Sequence, residues 1–205
     1  LQTAVRGDSR SDASRLNPNF RYLRVTLGGR VVFLALGDVD RHPLGPIEVW
    51  YSAEKEVLRL QNGRLVGATG LLTEWREVVL PELPSWSAIA GARQPLHWTR
   101  QRDVMPGYRY GMRDSLVLRV TVAPEKTALV GVDAGSLTWF EELRQAPVTA
   151  GYLATVLAAS HDDQALPAAR YAVDLRDGRE TVVYGEQCLA RELCFAWQRW
   201  SAVKP

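Results

Sequence analysis

The feature that most constrains this chain is a repeated alternation: short runs of branched and aromatic residues with period two, cut by the residues that tight turns require. Phe20-Arg-Tyr-Leu-Arg-Val-Thr-Leu27 and Val31-Val-Phe-Leu-Ala-Leu36 flank Gly28-Gly29, the pattern of a hairpin. Val57-Leu-Arg-Leu-Gln61 and Arg64-Leu-Val-Gly67 flank Asn62-Gly63, the strongest hairpin signal present, because both turn residues accept positive φ. Arg170–Leu175 and Glu180–Tyr184 flank Asp177-Gly178 in the same way. Ile47–Tyr51, His97–Asp103 and Ser115–Val122 read as further strands. In the last of these, Leu116, Leu118, Val120 and Val122 share one face by alternation. Prolines at positions 81, 84, 95, 106, 124, 147 and 167 divide the remainder into loops. Helix signal is sparse, and Gly151–Ser160 is the one stretch that suits a short helix, with a buried strand as the alternative. The expected fold is all-β: a large antiparallel meander sheet, curved or sandwich-like, with at most one or two short helices. A sheet that wide must curl, split or close, because a wide flat sheet exposes its edges. Alternation alone does not choose among these.

The 205 residues, 46% hydrophobic and 23% charged, suffice for a core and suit one domain. Residues 1–17 are polar and read as a flexible tether, leaving 18–205 as a single β-rich domain. No apolar run approaches the roughly 18 residues that a membrane helix needs. The net charge is +2 and the basic residues are scattered, which argues against a nucleic-acid partner. Among the cations only Lys55, Lys126 and Lys204 are lysine; the rest are arginine, whose planar fork stacks on rings and grips carboxylates. Cys188 and Cys194, six apart, suit a short disulfide-closed loop rather than zinc, which takes four ligands.

No nucleophile elbow, P-loop or dinucleotide glycine pattern is present. His42, His97 and His161 have no ligand spacing, and no cofactor is expected. Adjacent carboxylates such as Glu141-Glu142 point to opposite faces of a strand, so adjacency does not make a catalytic pair. Asp162-Asp163 suits a solvated loop. The most unusual segment runs from Trp98 to Met112. Alternation places Trp98, Arg100 and Arg102 on one face; Tyr108 and Tyr110 share a face of the next segment, with Arg109 on the other. Two readings follow. Either these residues form a structural ladder with stems packed on the sheet, or Trp98, Arg100, Arg102, Tyr108, Arg109 and Tyr110 form a patch for a glycan or protein partner. An enzyme, a polysaccharide hydrolase or lyase, would instead require convergent carboxylates or a cluster such as His97, Asp103 and Tyr108 within hydrogen-bond reach.

An ordered set of segments carries a family resemblance. It comprises Asn17-Pro-Asn-Phe-Arg-Tyr-Leu-Arg-Val25, Gly45-Pro-Ile-Glu-Val-Trp-Tyr-Ser52, Val57-Leu-Arg-Leu-Gln-Asn-Gly-Arg-Leu65, Thr73-Glu-Trp75, Leu83-Pro-Ser-Trp86, Trp98-Thr-Arg-Gln-Arg-Asp103, Trp139-Phe-Glu-Glu142 and Ala169-Arg-Tyr-Ala-Val173. The chain resembles the YjbF/GfcB family of bacterial capsule and exopolysaccharide lipoproteins from about Asn17 to Trp200. The resemblance implies a mostly antiparallel β fold without established enzymatic activity. It implies an outer-membrane lipoprotein on the periplasmic face, held to the membrane only through an N-terminal lipid. Its implied partner is an outer-membrane β-barrel protein of the export system, with the polysaccharide itself as a further candidate. The lipidated cysteine of such proteins does not stand at Leu1, so the tether would follow an anchor upstream. An oxidising periplasm would favour the Cys188–Cys194 disulfide.

Overall fold

The computed structural model describes residues 16–145 and 166–202. Its strands are β1 (Tyr22–Leu27), β2 (Arg30–Asp40), β3 (Ile47–Tyr51), β4 (Val57–Gln61), β5 (Arg64–Thr69), β6 (Glu74–Val79), β7 (Leu96–Met105), β8 (Arg109–Thr121), β9 (Thr138–Arg144), β10 (Ala169–Asp174), β11 (Thr181–Ala190) and β12 (Leu193–Trp200). One short helix, α1 (Trp86–Gly91), lies between β6 and β7. Each strand pairs antiparallel with its neighbours in the chain, and β12 returns to β1 through the register Tyr22↔Trp200 to Leu27↔Phe195. The expected meander is thus a closed twelve-stranded barrel. Closure answers the edge problem that the sequence posed, because it pairs the two strands that would otherwise end the sheet.

The predicted turns lie where the sequence put them. Gly28 and Gly29 both have positive φ between β1 and β2. Asn62 and Gly63, with φ of 49° and 76°, supply the two left-handed residues of the β4–β5 turn. The β2–β3, β4–β5, β6–β7 and β10–β11 connections gather at one end, with Tyr22 and Trp200; this is called the upper end below. Leu116 and Leu118 face the core as alternation requires. Val120 stands at the upper rim and Val122 beyond the strand, so both are exposed. The Gly151–Ser160 segment, Asp162-Asp163 and residues 1–15 of the tether lie outside the described residues.

Twelve strands enclose a wider lumen than the eight that side chains just fill. Large residues occupy it: Trp50, Trp75, Trp197, Phe140 and Tyr171 are all essentially inaccessible to solvent. Trp86 joins them from α1, its ring edge-on to Phe140 at 4.8 Å and tilted against Tyr171 at 5.2 Å. Gly185 lets Trp197 lie close on β11, since a Cβ there would meet the indole at 2.7 Å.

Part of the outer wall is charged: Arg119, Glu141, Arg170 and Glu186 form a ladder across β8 to β11, with N–O separations of 2.9, 3.6 and 3.6 Å. A strap between β8 and β9 crosses the outside: Ala128 N–H donates to the Tyr184 hydroxyl (3.1 Å), and Gln198 takes Val130 by both backbone groups (2.9 and 2.8 Å). Beneath it Leu137, Trp139, Ala172, Tyr184 and Ala196 form a second, smaller apolar cluster. The wall is thinnest between β5 and β6, which share the single register pair Ala68↔Trp75. Arg59 reaches across that seam and donates to the Arg76 carbonyl at 3.1 Å.

Candidate functional site

Strand β7 alternates cleanly. His97, Thr99 and Gln101 face water, while Trp98, Arg100 and Arg102 are turned into the lumen with 8%, 6% and 4% exposure. The Asp114 carboxylate on β8 holds both arginines. Its Oδ2 accepts from Arg100 Nε at 2.8 Å and from Arg102 Nε at 2.6 Å, and its Oδ1 accepts from Arg102 Nη2 at 3.2 Å. Arg100 Nη1 also reaches Glu142 Oε1 on β9 at 3.4 Å. Both guanidiniums sit over the Trp75 ring, at 4.6 and 4.9 Å, rather than over Trp98. The inward half of the sequence-derived patch is therefore an internal ladder whose guanidiniums are already committed to Asp114 and Glu142. The outward half lies elsewhere: Tyr108 and Tyr110 are 73% and 64% exposed at the lower rim, around the β7–β8 turn, with Arg109 exposed beside them. The six residues do not converge on one surface, because the β-strand period sends one half inside and the turn places the other at the barrel end.

His97, Asp103 and Tyr108 are not brought together either. His97 Nδ1 contacts Gln145 at 3.2 Å on the upper half of the outer wall. Asp103 accepts the Gly111 N–H at 2.7 Å near the opposite end. Cys188 and Cys194 sit directly opposite one another on β11 and β12 and form the expected disulfide, with Cα atoms 3.9 Å apart. Among the described residues no group of three or more His, Cys, Asp or Glu side chains is arranged to hold a metal.

Burial gives the lumen unusual electrostatics. Burial alone would raise the Asp114 carboxyl, but hydrogen bonding and charge from Arg102 and Arg100 outweigh it and hold the group below the ordinary carboxylate range. Glu142 goes the other way: burial dominates and raises it, with Arg100 and Arg64 opposing. Tyr171 is raised by the same burial, then by Glu142, and stays neutral. Arg64 is lowered by burial. Among the described residues Arg64 forms no ion pair with a carboxylate. Its Nε and Nη2 have no hydrogen-bond partner, and neither has Trp50 Nε1.

These unpaired groups lie at a large opening among the described residues, a cleft of about 1060 Å³ at the upper end of the barrel. Its rim includes Phe20 and Arg21 before β1, the Pro81–Ser85 loop, and Trp200; Trp50, Arg64 and Trp86 line it more deeply. Local chemistry fixes the walls. Ser85 caps α1 by accepting from Ala88 N–H at 3.2 Å. Glu180 accepts from the backbone N–H of Trp86 (2.9 Å) and Ser87 (3.0 Å) and from the Ser87 hydroxyl, and these bonds hold it below its usual range although burial opposes them. Trp86 Nε1 donates to the Asn62 carbonyl at 3.1 Å, and its ring covers the Arg64 guanidinium at 3.8 Å. Arg199 forks onto Glu48 at 3.0 and 2.8 Å. The two carboxylates that line the cleft are thus both engaged by donors, Glu48 by the Arg199 guanidinium and Glu180 by the start of α1.

Reading the sequence alone does not single out Arg64, Asp114, Glu142 or the Trp86 helix. Alternation did carry part of the signal: it separates Glu141 from Glu142, and the first lies on the outer ladder while the second is buried. The Leu83-Pro-Ser-Trp86 segment contained an N-cap serine, the mark of the α1 start.

Comparison with known proteins agrees with this architecture. A family model described as "Group 4 capsule polysaccharide lipoprotein gfcB, YjbF" matches residues 9–151. No curated protein matches. Among solved structures, the crystal structure of the hypothetical lipoprotein YmcC from Escherichia coli (K12) superposes with a TM-score of 0.59 at 17% identity, covering 95% of this chain and 88% of that one. That likeness is one of fold. It extends through β10 to β12, which lie beyond the family-model match but are needed to close the barrel.

Proposed function

Because this chain belongs to the YjbF family of group 4 capsule polysaccharide lipoproteins, we propose that it is a non-catalytic accessory protein of capsule or exopolysaccharide secretion. In this reading it is tethered by an N-terminal lipid to the outer membrane, faces the periplasm, and engages the polysaccharide or an outer-membrane β-barrel export partner. One observation carries the reading beyond family membership. The barrel is closed and its outer wall carries an ionic ladder across β8 to β11, while a large cleft with arginine and aromatic lining opens at the end where the amino-terminal segment enters. A water-facing barrel needs a separate anchor to stay at a membrane, which the family's lipid supplies. An open, ring-lined cleft suits recognition of a sugar chain better than the filled lumen does.

The reading as a hydrolase or lyase draws nothing from the site. Glu48 and Glu180 are committed to Arg199 and to the start of α1, and His97, Asp103 and Tyr108 are dispersed. The test is a pull-down of the full-length lipidated protein from outer membranes, with and without polysaccharide synthesis. Co-purification of a β-barrel protein in both states identifies a protein scaffold. Retention of glycan alone identifies a sugar-binding module. Recovery of neither, from membranes that contain the protein, overturns the proposal.

A further inference from the structure

The polarity of the unmatched groups at the upper cleft is one-sided. Arg64 Nε, Arg64 Nη2 and Trp50 Nε1 are all donors, all buried, and all without an acceptor. A buried cation without a partner is costly in any fold, and an unmet donor adds to that cost. The nearby carboxylates offset this only at a distance: Glu142 and Glu180 favour the Arg64 charge but neither bonds it, burial still outweighs them, and Glu48 and Glu180 give their oxygens to Arg199 and to the start of α1. Above the floor stands Arg21, a second cation on the exposed rim, and beside it the exposed ring of Phe20 and the partly buried ring of Trp200, which packs on Phe33.

From this arrangement we propose that the upper cleft is a binding site for an acidic saccharide, with the sugar carboxylate drawn to the Arg64–Trp50 floor and the pyranose faces laid against Phe20 and Trp200. The inference rests on the polysaccharide branch of the proposed function and names its chemical class. Donors without acceptors select an anion, a guanidinium fork matches the two oxygens of a carboxylate, and the rings provide flat apolar faces that a compact inorganic anion would not use. Trp86 covers one face of the guanidinium at 3.8 Å, so the sugar approaches from the open side of the cleft.

The experiment titrates the intact folded protein with tetragalacturonate, with the same oligosaccharide after reduction of its carboxylates to alcohols, and with a tetraglutamate peptide, following the Trp50 indole N–H resonance by NMR. The expected result is saturable movement of that resonance with tetragalacturonate alone, weakening as salt is raised. Arg64→Met is expected to reduce affinity by about tenfold or more, the range of a lost charged hydrogen bond. Because Arg64 also supports Trp86, the rim variant Arg21→Ala provides an independent reading, with an expected loss of about threefold. Equal response to acidic and reduced oligosaccharide removes the carboxylate assignment. A response to tetraglutamate and not to the sugar reassigns the cleft to an acidic protein segment and overturns the proposal. No movement with any probe overturns it as well, and leaves the membrane pull-down to judge the accessory role separately.

Discussion

At the scale of single residues, the two buried carboxylates of the lumen have opposite duties. Asp114 binds two guanidiniums, so removing its charge leaves Arg102 without an ion pair and Arg100 with Glu142 alone. Asp114→Asn is expected to destabilise the protein by about 3–5 kcal/mol, read as a lowered urea midpoint by tryptophan fluorescence. An unchanged midpoint would mean the ladder carries no net stability. Because Asp114 is held below the ordinary carboxylate range in the fold, the unfolded chain takes up its proton first as the solution is acidified. The Asp114 contribution is therefore complete above the ordinary carboxylate value and is lost as pH falls below it. Glu142 is raised by burial, so the folded chain keeps a proton that the unfolded chain releases. Its contribution is present below the ordinary glutamate value and is lost as pH rises toward the raised one. Glu142→Gln mimics the neutral acid. Its midpoint should match the wild type near about pH 4 and exceed it near about pH 8, and a gap of the opposite sign would refute the assignment.

At the scale of elements, the β11–β12 hairpin closes the sheet onto β1 and carries the disulfide on its outer face. The loop closed by Cys188 and Cys194 is short, so chain entropy sets its worth at about 2 kcal/mol. Reduction, or the Cys188→Ala/Cys194→Ala pair, should lower stability by that amount without altering the far-ultraviolet circular dichroism of the barrel. Loss of the barrel signal on reduction would show that the hairpin depends on the bridge to dock. Helix α1 was not legible as a helix, because six residues carry too few periods for a 3.6-residue pattern. Its existence depends on contacts remote in sequence: Glu180 at its start and Phe140, Tyr171 and Arg64 beneath Trp86. The hairpins were legible because each is decided within a few residues by its turn chemistry, as Asn62-Gly63 illustrates.

At the scale of the whole molecule, closure by β12 removes both free edges at once. Deleting residues 193–205 should expose β1 and β11 along their lengths and shift the chain to larger assemblies than the intact protein on size-exclusion chromatography. A truncated chain that stays folded with no such shift would show that the remaining eleven strands re-close. Closure also decides what function can use. It hides Arg100, Arg102 and Trp98 and gathers Arg64, Trp50, Trp86 and Arg199 at the open end, although these four come from widely separated parts of the chain.

The sequence by itself determined most of the strands, their alternation, the tight turns, the antiparallel pairing and the family, because each depends on residues close in the chain; β6, β9 and β12 lack such a local signal. It also determined which side chains of β7 share a face. Which side of the wall that face occupies was a tertiary decision. An arginine-rich strand face suits open water as readily as a lumen, and only the arrival of Asp114 and Glu142 from β8 and β9, with Trp75 from β6, made burial affordable. The candidate site belongs wholly to that second class. Its floor pairs a tryptophan of β3 with an arginine of β5 beneath a six-residue helix, and their proximity follows from the radius at which twelve strands close.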